Sequence, residues 1–254
     1  MLTQIRYILL TALRDFLFLG LMVAVIFAVV ISATLGGTAM VEKEAMMVVF
    51  SGASARLILM FGITVFVAFH VRQAFDQKEI DVLLSRPLSR FHIMLAYWLG
   101  FSFVSFLLVL ATVVVLSFLP IGNLEGFAYW GISLLLESWL MVAIALFASF
   151  TLSSAVTSVL ASMGIYIAGR MMAFFVATSD SHLVFHEAWV NDLLGFIIDA
   201  TSNIIPRLDL FTQSEWLIYG VTRMQDTSFG LAQVLIYIPL LIAAATIDFK
   251  RKEF

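Results

Sequence analysis

The sequence has no cysteine among its 254 residues. Disulfides, thiolate metal sites and cysteine nucleophiles are therefore excluded, while the redox compartment stays open. Charged residues are also scarce, at 12% of the chain, and the formal net charge is only -3. Because the basic residues are scattered singly along the chain, the sequence indicates no nucleic-acid partner.

Nucleotide-binding and catalytic signatures are missing too. The chain contains no phosphate-binding glycine loop, no G-K-[ST] sequence and no G-x-S-x-G nucleophile motif. We therefore expect no catalytic residue, no cofactor and no enzymatic activity in this chain, and no hydrolysis of nucleotide by this chain alone.

Apolar residues dominate what is present. They make up 62% of the chain, and the mean hydropathy is +1.06, well above the values of soluble globular domains. Since about 20 apolar residues cross a bilayer as a helix, we predict an all-α polytopic membrane protein with a single domain, residues 1–254. The six predicted transmembrane helices are residues 16–35, 55–75, 93–119, 127–152, 155–178 and 231–247.

The first predicted helix needs a check against a signal peptide, because Arg6 and Arg14 precede it. Its uncharged run is longer than the apolar region of a usual signal peptide, so we interpret it as an uncleaved first span. Residues 1–15 carry Ile5 on an apolar helical face, with Arg6 and Arg14 elsewhere on the wheel. This pattern predicts an amphipathic helix at the membrane surface. A plain extension of the first span is the alternative.

The longest predicted segment between spans is residues 179–230. Its apolar runs are too short to cross a bilayer and are interrupted by aspartates. We expect one or two amphipathic or re-entrant helices there, on the external side. Spans four and five are joined only by Ser153 and Ser154, which predicts an antiparallel hairpin. Small residues follow one face of the fifth helix and predict close packing on another helix; they are Thr157, Ala161, Gly164 and Ala168.

The basic residues predict the orientation. With the N-terminus in the cytoplasm, nine of them face the cytoplasm and four face outward, which satisfies the positive-inside rule. We therefore expect both termini and residues 76–92 to be cytoplasmic, in an inner (cytoplasmic) membrane.

Two ionisable residues fall inside predicted spans at similar depth. They are Glu137 in the fourth helix and Arg170 in the fifth. A lone charge in a bilayer costs about 2.5–3.5 kcal/mol on insertion scales, so we predict that the two form an ion pair. The pair would lock the hairpin or, alternatively, contribute to a substrate path or gate.

Histidines are the remaining candidates for chemistry. His182 and His186, followed by Glu187, would share a helical face. The order of residues differs from a metalloprotease motif and a third ligand is lacking, so we expect a solvated loop and no metal site. An intramembrane enzyme using His70, His92 or this outer pair is an alternative function, and a membrane scaffold or assembly factor is another.

A charged island, residues 76–90, separates the second and third predicted spans. On a helix Ile80, Leu83 and Leu84 share one face, charged residues surround it, and Pro87 ends it. A short apolar surface with a charged rim is the kind of feature that fits a groove in a soluble partner. An ordinary cytoplasmic loop is the alternative.

The sequence of this island, EIDVLLSRPLSR from Glu79 to Arg90, resembles the loop between helices two and three of type-2 ABC permeases. These are the six-helix membrane subunits of ATP-binding-cassette exporters. Weaker similarities are found at 205–211, 216–220 and 249–254. In that family this loop holds a coupling helix that docks on the ATPase. The resemblance implies this role for Glu79, Ile80, Leu83, Leu84, Arg86, Pro87 and Arg90.

The resemblance also implies the partners. They would be a separate ABC ATPase subunit, which binds ATP and Mg, and a second permease in a homodimer or heterodimer. Together they would move a substrate across or out of the membrane. The scarcity of polar residues within the spans favours an amphipathic or lipid-like substrate, or mechanical transmission without a conduit.

Overall fold

The structure is a computed structural model. It describes residues 8–11, 16–38, 42–78, 89–180, 198, 201, 205–221 and 224–251. Within these ranges the regular structure is entirely helical. Among the described residues, six helices are long and apolar enough to cross a membrane. This confirms the predicted fold class, and the chain is a multi-pass membrane protein.

Six long helices make up most of the described part of the chain. The long helices are α1 (Phe16–Gly36), α2 (Lys43–Asp76), α3 (Arg90–Leu116), α4 (Leu124–Thr151), α5 (Ala155–Asp180) and α7 (Met224–Arg251). Between α5 and α7 lie a 3-10 helix (Leu208–Phe211) and a single helical turn, α6 (Trp216–Tyr219). Helix α4 packs against α2, α3, α5 and α7, so it forms the centre of the bundle.

Helix α2 differs most from its prediction. It begins at Lys43, twelve residues before the predicted start at Ala55. The predicted loop 36–54 is therefore mostly helix, because the run from Ala45 to Phe50 is apolar and continues the span. Arg56, the second residue of the predicted span 55–75, lies 13 residues inside α2 as a result. The other long helices begin and end within three residues of their predictions, except that α7 begins seven residues earlier and ends four later.

The connections follow from residues suited to turns. Asn123 caps the start of α4, since its side-chain oxygen accepts a hydrogen bond of 2.8 Å from the backbone N–H of Gly126. Helices α4 and α5 form the predicted antiparallel hairpin, in which the Ser158 hydroxyl donates to the Ala148 carbonyl at 3.2 Å.

The described part of the predicted external segment packs into the bundle. In residues 205–221 the side chains of Leu208, Phe211 and Trp216 are buried. The approach is close at Gly126 of α4, where a Cβ atom would overlap the carbonyl oxygen of Trp216. This segment, hereafter the inserted segment, is therefore a packed part of the helix bundle.

The described part of the chain leaves apolar faces of α1 and α5 uncovered. The span of α1 is only 11% buried. On α5, Thr157, Ala161 and Gly164 are exposed and Ala168 is half-buried, and no described atom lies within 4 Å of a Cβ placed at Gly164. Three of the four residues of the predicted small-residue face are therefore left uncovered by the described part of the chain.

Before α1, the described residues 8–11 are helical. Ile8 is buried and lies over Gly100 of α3, where a Cβ atom would come within 2.8 Å of it. Ile5, Arg6 and Arg14, which carry the prediction of an interfacial helix, lie outside the described residues.

Candidate functional site: a buried arginine–glutamate cluster

The most polar site within the spans is centred on Arg56 of α2. Its guanidinium Nη1 lies 2.6 Å from Oε2 of Glu137 in α4 and donates to the backbone carbonyl of Phe211, also at 2.6 Å. Both charged side chains are essentially inaccessible, at 1% and 0% exposure. The site therefore joins two spans and the inserted segment through one guanidinium.

Helix α4 supplies the remaining partners from a single face. Trp130, Ser133 and Glu137 are spaced by three and four residues, so they lie above one another on a helix. The second nitrogen of Arg56 donates to the Ser133 hydroxyl at 3.0 Å, and the guanidinium lies 5.0 Å from the centre of the Trp130 ring. The planar cation is thus held by ionic, hydrogen-bonding and cation–π contacts together.

The third component of the site is the end of the 3-10 helix in the inserted segment. The Phe211 carbonyl, which faces Arg56, also lies 3.1 Å from the Ser133 hydroxyl. An unpaired backbone carbonyl costs several kcal/mol at membrane depth, where no water replaces the lost partner. Arg56 and Ser133 therefore make it possible for non-helical backbone to lie inside the bundle.

The ion pair predicted between Glu137 and Arg170 is replaced in the structure by a pair between Glu137 and Arg56. Glu137 is paired with Arg56, whereas Arg170 donates to the Tyr166 hydroxyl at 2.9 Å and lies 5.6 Å from the centre of that ring. The prediction failed because Arg56 was the second residue of the predicted span 55–75, which left Arg170 as the cation at a depth similar to that of Glu137. Once α2 is extended, Arg56 and Glu137 each lie 13 residues from the start of their helices.

Several buried polar atoms in this region have no hydrogen-bond partner among the described residues. They are Nε of Arg56, Oε1 of Glu137 and the indole nitrogens of Trp130 and Trp216. A buried ion pair contributes little net stability even when it is fully paired. We infer that the cluster mainly fixes how α2, α4 and the inserted segment fit together.

A second cluster lies at the opposite end of the same helices, where α2 ends and α3 begins. Arg90, at the start of α3, donates a hydrogen bond to the Phe249 carbonyl in α7; its guanidinium lies 5.3 Å from the Phe249 ring. The Phe150 ring of α4 contacts Phe249 at 5.3 Å and Phe75 at 5.4 Å between ring centres. The residues that bracket the charged island are therefore joined to α4 and α7. We call this membrane surface the island side.

The remaining predicted site residues are placed as follows. Of the coupling residues only Arg90 is described; Glu79, Ile80, Leu83, Leu84, Arg86 and Pro87 lie outside the described residues, as do His182 and His186. His70 packs against the Phe101 ring, with 5.3 Å between ring centres, and the side chains of His92 and Ser89 are hydrogen-bonded. Within the described ranges, no three His, Cys, Asp or Glu side chains are grouped as metal ligands would be.

Sequence reasoning missed the role of Arg56, Ser133 and the Phe211 carbonyl. A signal for Ser133 was present, since it lies one turn before Glu137 on the same face of α4. The run AMMVVF before Arg56 was a signal for a longer α2. Nothing in the sequence marks a backbone carbonyl as an ion-pair partner.

No protein-family model matches the chain, and no curated protein is significantly similar to it in sequence.

Proposed function

We propose that this multi-pass membrane protein is the permease subunit of an ATP-binding-cassette exporter. The observation that carries the proposal is the charged island, with its EIDVLLSRPLSR sequence, between the second and third of six membrane-spanning helices. The island is where a soluble ATPase would bind. The chain has no nucleotide-binding loop of its own, so ATP and Mg would bind to that partner.

The contacts around the island support this role. Helix α2 leads into the island at Asp76, and α3 leaves it at Arg90. Arg90 is bound to the end of α7 through the Phe249 carbonyl and ring. A force on the island would therefore reach α2 and α3 through the backbone and α7 through Arg90.

The uncovered faces of α1 and α5 support the proposed dimer. In a bilayer they contact either lipid or another protein. Small residues such as Ala161 and Gly164 allow helix backbones to approach closely, which is how many membrane helices associate. A second permease, identical or homologous, would pack on this surface. The substrate would move at or beside that interface, with both termini of the chain in the cytoplasm.

A cross-linking experiment tests the partner. The native chain has no cysteine, so Leu83→Cys introduces the only thiol. The chain is co-expressed with the ATPase encoded by a neighbouring reading frame that contains a G-x-x-x-x-G-K-[ST] loop. We expect the thiol to cross-link to single cysteines around one groove of that ATPase. Lys43→Cys, at the other end of α2, is the matched control and should not cross-link.

Co-purification gives an independent measurement. Replacing Leu83 by Asp together with Arg86 by Glu should abolish recovery of the ATPase with the permease, because both the apolar contact and the charged rim are reversed. The proposal would be refuted if the double variant still co-purified with the ATPase and the thiol at position 83 formed no cross-link to it.

A further inference from the structure

An apolar groove of about 460 Å³ lies on the side of the bundle between α3, α4 and α7. Its walls include Phe91 and Trp98 of α3, Trp139 of α4, and Leu235 and Ile242 of α7. We propose that this groove binds an acyl chain of an anionic phospholipid, with the head group on the basic residues at the island side.

The shape of the groove is set by hydrogen bonds and by proline. The indole nitrogen of Trp98 donates to the Trp139 carbonyl at 3.4 Å, and that of Trp139 donates to the Ser102 carbonyl at 3.2 Å. Both rings are thereby held in place as walls. Pro239 also lines the groove and has no N–H for the carbonyl one turn earlier, which permits a local bend of α7.

The chemistry of the walls selects an apolar occupant. Both tryptophan N–H groups are already bonded within the protein, and the other lining side chains are aliphatic or phenyl. Apolar cavities of this kind do not hold water well. On α7 the groove extends from Leu231 to Ile242, or about 16 Å along the helix axis. On α3 the groove begins at Phe91, next to the first helical residue Arg90, so it reaches from the island side into the middle of the bundle.

Charge at one end of the groove selects the head group. Phe91, at that end, follows Arg90, and α7 finishes there with the exposed residues Lys250 and Arg251. Lys250 lies about a quarter-turn from the line of Ile242 on the helix. The nearest acid on α7, Asp248, accepts a hydrogen bond from the Thr151 hydroxyl at 2.8 Å. This end is therefore basic and complementary to an anionic lipid phosphate.

Photolabelling of the full chain tests the inference. The probe is phosphatidylglycerol with a diazirine in one acyl chain, at low mole fraction in phosphatidylcholine nanodiscs. Peptide mapping should place the label on 91–98 and 231–242. Leu235→Trp fills the groove from an exposed position, 74% accessible, and should abolish this labelling. Leu240→Trp, on the same helix but outside the groove, should leave it unchanged.

Head-group recognition is tested separately with Lys250→Gln. It should lower labelling by the phosphatidylglycerol probe about fivefold and leave labelling by the matching phosphatidylcholine probe unchanged. Lys43→Gln, at the opposite membrane surface, should change neither. The binding of an acyl chain in the groove would be refuted by either of two results. One is labelling of the exposed α1 face as strong as that of the groove, and the other is groove labelling that Leu235→Trp does not reduce. Equal labelling of the unsubstituted protein, with Lys250 intact, by both probes would refute the preference for an anionic head group.

Discussion

Replacement of Arg56 by Met gives the sharpest test of the buried cluster. It removes the cation from Glu137, which is 0% exposed. Breaking a buried pair by removing one partner costs about 3–5 kcal/mol. The Phe211 carbonyl also loses one donor, for which we add about 1 kcal/mol, the low end of the range, because the Ser133 hydroxyl remains at 3.1 Å. The expected loss is thus about 4–6 kcal/mol.

The second step of this test is the double change Arg56→Met with Glu137→Gln. The uncompensated carboxylate is now a neutral amide, so only unpaired hydrogen-bonding groups remain, at about 1–3 kcal/mol. The double variant should therefore be more stable than Arg56→Met alone by about 3 kcal/mol, the difference between the middles of the two ranges. Such a recovery is the signature of a coupled pair.

Thermal unfolding in detergent, followed by the loss of monodisperse protein, provides the assay. In a chain of this size each kcal/mol shifts Tm by about 2–4 °C. The Tm of the single variant should fall by about 8–24 °C, and the double variant should regain about 6–12 °C. Arg72→Met, on the same helix, is the control: it removes an exposed ion pair with Asp76, worth about 0–1 kcal/mol, and adding Glu137→Gln should give no recovery. A double variant no more stable than Arg56→Met would refute the pairing, as would rescue of Arg72→Met.

Three further substitutions test the packing, all by the same Tm measurement. Gly126→Ala should destabilise the protein by about 1–3 kcal/mol, because the new methyl group meets the backbone of Trp216. The control Gly164→Ala, where no described atom is near, should be neutral or slightly stabilising. Equal effects of the two substitutions would contradict the packing of the inserted segment. Phe249→Ala should cost about 3–5 kcal/mol, since its ring is fully buried; a loss below about 1 kcal/mol would argue against the island-side cluster. Asn123→Ala removes the cap of α4 and should cost about 1 kcal/mol, whereas Asn123→Asp should retain most of the stability.

The number and order of the spans were predictable from sequence because long apolar runs have few alternatives in a bilayer. The start of α2 was not, because Arg56 interrupts the hydropathy signal. A charged residue within an apolar run indicates a membrane surface when it is unpaired and the middle of a span when it is paired. Its partner, Glu137, lies 81 positions along the chain, so local sequence does not distinguish the two cases.

The candidate site shows the same dependence on distant residues. Glu137 was predictable as an intramembrane acid, and the need for a cation beside it followed from the cost of a buried charge. Which arginine would pair with it depended on the register of α2 against α4. The burial of Phe211 and Trp216 also depended on the fold, since their run has the hydrophobicity of an interfacial helix and no feature that marks its depth.

The two clusters have a joint consequence for how the bundle can move. Arg56 joins α2 to α4 through the buried ion pair, and Phe75 joins the same helices through Phe150 on the island side. The two contacts are 19 residues apart on α2, or about 29 Å along its axis. Two helices fixed to each other at two such distant points cannot tilt relative to one another without breaking a buried ion pair or an aromatic contact. The outer faces of α1 and α5 are not covered by any described part of the chain. In the proposed permease, α2 and α4 are therefore the rigid unit on which the island acts, and any opening takes place at the α1 and α5 surfaces.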